Sequence, residues 1–89
     1  MVNIKIPTPL RKLTGQKSEV EVEGNTVIDV IENLDKKYPG IKKRLLDESG
    51  KIRKFVNVYV GDEDIRFLQK EQTKTEGKEV TIVPSIAGG

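Results

Sequence analysis

Phe55-Val56-Asn57-Val58-Tyr59-Val60 is the stretch that decides the fold. Val56, Val58 and Val60 fall at every second position, the period of a strand with two unlike faces, and the Gly61-Asp62 that follows is turn chemistry. Beyond the turn, Ile65-Arg66-Phe67 fits a short edge strand. Gln69 to Lys78 reads as a polar loop, and Glu79 to Val83 as the last strand. Before the central stretch, Ser49-Gly50 marks a connection, and Ile41, Leu45 and Leu46 suit a short second helical turn. Upstream again, Val27, Val30, Ile31, Leu34 and Tyr38 recur at helical spacing. A helix over Val27 to Lys37 is expected, with Thr26 as N-cap, Asp29 as its acidic partner and Pro39-Gly40 as the stop. Val2, Ile4 and Ile6, closed by Pro7, alternate as a first strand, and Glu19-Val20-Glu21-Val22 as a second. Thr14-Gly15-Gln16-Lys17 lies in the long connection between them, and Gly24-Asn25 ends the second strand.

The order strand, strand, helix, strand, short strand, strand predicts an α+β chain in which a mixed sheet of four to five strands packs on one main helix. This is the β-grasp, or ubiquitin-like, arrangement. The expected division is a domain over 1–84 and a flexible tail over 85–89. A sheet covered by one helix leaves its other face free. If Val56, Val58, Val60, Val80 and Ile82 line the core, then Phe55, Asn57, Tyr59, Thr81 and Val83 look outward, with Phe55, Tyr59 and Val83 as a docking patch.

Composition excludes several kinds of chemistry. The chain of 89 residues has no Cys and no His, which removes the thiolate nucleophile, the zinc-cysteine site, the commonest general base and the commonest metal ligand. Its 16 basic and 14 acidic residues give a net charge of +2 and are interspersed, without the basic stripe and stacking aromatics of a nucleic-acid binder. No apolar run suggests a membrane span, and the first residues lack the apolar core of a signal peptide, so a cytoplasmic location is expected.

One chemical handle remains, the carboxylate of Gly88-Gly89 after Pro84-Ser85-Ile86-Ala87. Two residues without side chains pass through a narrow slot and take backbone angles that others resist. Fully extended, Ser85 to Gly89 reach at most about 17 Å. Ile86 is the large apolar side chain of this segment and is expected to anchor in a partner pocket, with packing on the chain's own sheet as the other reading.

The strand order together with the ending Val80 to Gly89 resembles the ubiquitin-like sulfur-carrier proteins. These include the small subunit of molybdopterin synthase, the thiamine-pathway carrier and the carrier of a thiocarboxylate-dependent cysteine pathway. Ile6-Pro7-Thr8 with Leu10-Arg11, the block Phe55 to Phe67 and the exit Ser85-Ile86-Ala87 place the resemblance nearest the cysteine type. Val83-Pro84-Ser85 has a single proline where the molybdopterin type often adds a second proline or an aromatic.

The resemblance implies a carrier and not an enzyme. A ubiquitin-activating-type adenylyltransferase would join the Gly89 carboxylate to AMP, using ATP and Mg2+ that the chain itself does not bind, and a persulfide or sulfide would convert it to a thiocarboxylate. The implied acceptor is a pyridoxal-phosphate cysteine synthase, followed by a carrier-processing metallopeptidase, or else the molybdopterin synthase large subunit. Ser85, Ile86, Ala87, Val83, Phe55 and Tyr59 would meet these partners, and Gly88 and Gly89 would enter the active site. A ubiquitin-like modifier that links Gly89 to lysines, and a plain interaction module, stay open at this point.

Two weaker groupings complete the reading. Asp62-Glu63-Asp64 is taken as a solvated turn or partner surface in preference to a cation site, so no metal is expected. Lys42-Lys43-Arg44 and Lys51-Ile52-Arg53-Lys54 are read as solvated faces, with steering of an acidic partner as the alternative.

Overall fold

The structure is a computed structural model that describes residues 1–84. Five strands form one sheet in the order β2-β1-β5-β3-β4: β1 is Val2–Lys5, β2 Glu19–Val22, β3 Val56–Val60, β4 Glu63–Asp64 and β5 Val80–Pro84. β1 pairs antiparallel with β2 and parallel with β5, and β5 pairs antiparallel with β3. The strand nearest the C-terminus is thus the central one. The helix α1, Val27–Lys37, covers one face, and the short α2, Ile41–Leu45, follows it.

The alternation read from the sequence is the alternation of burial. Ile4, Val20, Val22, Val58, Val60, Val80 and Ile82 meet Val27, Val30, Ile31 and Leu34 of α1 and Ile41 and Leu45 of α2 in one core. Each such aliphatic side chain contributes about 1.5 to 3 kcal/mol on burial. Thr26 caps α1, its hydroxyl oxygen accepting from the Asp29 N–H at 3.2 Å. At the other end the Asp35 carboxylate accepts from the N–H groups of Gly40 and Lys42, both at 3.0 Å, which fixes the corner into α2. Gly40 takes φ +104 at that corner, a conformation side-chain-bearing residues resist.

Four sequence expectations are corrected. Ile65–Phe67 is a 3-10 turn and not an edge strand; the edge strand is the two-residue β4 just before it. The cause is local. The Asp64 carboxylate accepts from the Arg66 N–H at 2.9 Å and bends the chain out of the sheet. For the same reason Asp62-Glu63-Asp64 is not simply a solvated turn, because Asp64 is buried within β4. The stretch from Gln69 to Lys78 is no plain polar loop either. It contains a 3-10 turn at Lys70–Gln72 and buries Thr73 and Thr75 against the start of α1. Phe55, read as part of the central strand, precedes β3.

Candidate functional site

The site is the end of the sheet at which β5 leaves it. Register places Asn57 opposite Val83, Tyr59 opposite Thr81 and Val56 opposite Pro84. Residues directly opposed in an antiparallel pair share a face, so Asn57, Val83, Tyr59 and Thr81 lie on the face away from α1. Val83 is 38% exposed, Phe55 is 49% exposed beside the first rung, and Tyr59 is half-buried. Of the expected docking residues, Val83 and Tyr59 therefore share the open face two rungs apart. Phe55 stands at its corner.

Charge divides that open face. On β1 and β2 the Asn3 amide donates to Glu19 at 2.8 Å and to Glu79 at 3.0 Å, and Lys5 lies 3.7 Å from Glu79. On this half Asn3, Lys5, Glu19 and Glu79 engage one another. Towards the exit the face carries Asn57, Tyr59, Thr81 and Val83 instead, and it ends at Asp64, which pairs with Tyr59 across β3 and β4. Arg66 clamps Asp64 with its guanidinium, Nη2 to Oδ2 at 2.8 Å and Nε to both carboxylate oxygens at 3.1 and 3.2 Å. These hydrogen bonds hold the Asp64 carboxyl below its ordinary range, against the opposing effect of burial. Asp64 is therefore engaged by Arg66 and not open to a cation. Among the described residues no three His, Cys, Asp or Glu side chains are grouped to hold a metal, and no helix is long and apolar enough to cross a membrane.

The remaining expected site residues, Ser85, Ile86, Ala87, Gly88 and Gly89, lie outside the described residues. The sequence runs on from Pro84, the last residue of the central strand, directly into them. Val83, next to the last residue of that strand, belongs to an uncharged, partly apolar strip with Asn57, Tyr59 and Thr81.

The ThiS family profile matches residues 4–89. The chain belongs to that family. ThiS-family proteins are ubiquitin-like sulfur carriers, and this member is a carrier and not a catalyst. The sulfur carrier protein CysO of Mycobacterium tuberculosis (strain ATCC 25618 / H37Rv) is 46% identical over 91 residues, covering 99% of this chain and 98% of the relative. A chain of the crystal structure of the Amycolatopsis orientalis BexX/CysO complex superposes with a TM-score of 0.92 at 42% identity, covering 100% of both chains. Small archaeal modifier protein 3 of Haloferax volcanii is 34% identical over 83 residues, covering 89% of this chain and 88% of the relative. The β-grasp read from the order of elements is the fold of the solved neighbour.

Sequence reasoning did not find Arg66 as the residue that fixes the corner of the open face. A signal was present, since Asp64-Ile65-Arg66 has the spacing at which a carboxylate takes the second N–H ahead of it.

Proposed function

We propose that this carrier bears sulfur as a thiocarboxylate on Gly89 and donates it for cysteine synthesis. The observation that carries the reading is the likeness to CysO along nearly the whole chain, together with a family match that extends to Gly89 itself.

A carboxylate is a poor acyl donor, so the first step belongs to an adenylyltransferase partner. The Gly89 oxygen attacks the α-phosphorus of ATP, a carboxyl-phosphate bond forms, and pyrophosphate leaves. Mg2+ on that partner stabilises the phosphate charge. Sulfide then attacks the acyl carbon, the carbon-sulfur bond forms, and AMP leaves with the electron pair of the broken carbon-oxygen bond. The thiocarboxylate sulfur next bonds to the β-carbon of an activated serine derivative held by a pyridoxal-phosphate partner, and the β-oxygen leaving group departs with the electron pair of the broken carbon-oxygen bond. In the resulting thioester the cysteine amine attacks the acyl carbon and the thiolate leaves, so that a cysteinyl amide remains on Gly89, which a metallopeptidase frees by hydrolysis. The chain supplies position only. Gly88 and Gly89 enter the active site, Ile86 anchors in a partner pocket with Ser85 and Ala87 alongside, and Val83, Tyr59 and Phe55 meet the partner surface.

Intact mass of the chain isolated from its native cell tests the reading. Exchange of one oxygen for sulfur, or addition of one cysteinyl group, is the expected result; neither form at any growth stage would overturn it. The likeness to an archaeal modifier protein favours a second reading, isopeptide linkage of Gly89 to lysines. Discrete conjugates of higher mass in the same sample would select it. Delivery to a molybdopterin synthase large subunit is the remaining fate, and it gives the sulfur-exchanged mass without the cysteinyl one.

A further inference from the structure

On the face opposite the open one, β3 floors a groove of about 350 Å³. Its floor is apolar, with Val58 and Ile65 buried and Ile52 and Val56 half-buried. Its walls carry the cationic side chains Lys51, Arg53, Lys54 and Lys70 against the carboxylate of Glu71, while Arg66 at its edge is neutralised by Asp64. That carboxylate is already engaged, accepting from the Ile52 N–H at 2.7 Å. Among the described residues Lys51, Lys54 and Lys70 form no ion pair. The groove therefore holds cations in excess around exposed apolar surface. It also adjoins the exit of β5, since Val56 in its floor is the residue that pairs with Pro84.

We propose that this groove is a second docking surface, which takes an acidic segment carrying an apolar side chain from the enzyme that handles the tail. The inference rests on the reading that a partner enzyme engages Gly89. The apolar side chain fills the space over Ile52 and Val56, and flanking carboxylates meet Lys51, Lys54 and Lys70 on the rim. The groove reaches the Val56 and Pro84 rung, after which the tail follows in sequence, so one partner engages both. Charge complementarity of this kind speeds encounter and sets orientation, and it weakens with salt.

The test is an amide-resolved NMR titration of the full chain with a synthetic eight-residue peptide of alternating Asp and Glu interrupted by one central Leu. Shifts confined to residues 51–58 and 65–71, and reduced by added salt, are expected. The exposed pair Lys54→Glu with Lys70→Glu should bind the peptide about tenfold more weakly with an unchanged thermal midpoint, and should gain binding to the matching Lys-rich peptide. Shifts on the open face alone, equal shifts with ATP alone, or undiminished binding by the charge-reversed variant would overturn the proposal. Peptide binding does not involve Gly89 chemistry. A chain that binds the peptide but is never thiocarboxylated defeats the sulfur reading and leaves the groove standing; a thiocarboxylated chain blind to the peptide does the reverse.

Discussion

The Thr75 hydroxyl donates a 2.8 Å hydrogen bond to the carbonyl of Gly24, joining points 51 residues apart. Around it the Thr75 N–H donates to the Asn25 carbonyl and the Val27 N–H to the Thr73 carbonyl, both at 2.9 Å. The stretch before β5 is thereby stitched to the start of α1. Thr75→Val keeps the shape and removes the donor, leaving the Gly24 carbonyl short of its partner. A loss of about 1 to 3 kcal/mol is expected, read from urea unfolding. Thr75→Ser should retain most of the stability.

Gly24 also lies hard against the helix. A Cβ at this position would sit 2.6 Å from Val30 Cγ2, 2.8 Å from Val30 N and 3.0 Å from Val30 Cα. Gly24→Ala should therefore cost about 1 to 3 kcal/mol through overpacking. Adding Val30→Ala relieves only the side-chain clash. The double variant should consequently fall short of full additivity without returning to the stability of Val30→Ala alone, a coupling that a double-mutant cycle measures.

Asp64 and Arg66 predict a pH dependence. The folded-state pKa of Asp64 is depressed below 3.8, chiefly by the Arg66 hydrogen bonds. The unfolded chain thus binds a proton here more readily than the folded one, so the contribution is fully present above the unfolded value and is lost as pH falls through the folded value. Thermal midpoints should decline on acidification below about pH 4, and Asp64→Asn should flatten that decline. An unchanged acid slope in the variant would contradict the assignment.

Gly89→Phe, or one residue appended after Gly89, should abolish thiocarboxylate formation by the activating enzyme while leaving the thermal midpoint unchanged. Mass spectrometry of the reconstituted reaction checks the first, and calorimetry the second. Unaltered sulfur loading would contradict a slot that admits only glycine.

Val83→Asp should weaken docking on the open face by about tenfold or more, as expected when charge is placed at the centre of a partly apolar contact. Because Val83 is already exposed, unfolding by urea should change little. The readout is the KM for the carrier in adenylation, with kcat less affected.

The strands were legible because Val2, Ile4, Val20, Val22, Val58 and Val60 alternate cleanly, and α1 because its apolar stripe lies between Thr26 and Pro39-Gly40. What escaped depended on single side chains overriding local pattern. Ile65-Arg66-Phe67 has strand-like composition, and one carboxylate bond from Asp64 made it a turn. Thr73 and Thr75 look like loop residues, yet their burial is set by a helix nearly fifty positions earlier in the chain, which no local window contains. The groove needed the stretches on either side of the β3-β4 hairpin to converge on β3, so Lys51-Ile52-Arg53-Lys54 by itself read as a solvated face.

The parallel pairing of β1 with β5 has a mechanical consequence. A pull on the chain beyond Pro84, opposed at Met1, slides the two neighbouring strands lengthwise and strains their ladder bonds in concert, instead of peeling them one by one. A load applied between Met1 and Pro84 is thus met by the sheet in shear, with the rungs sharing the strain.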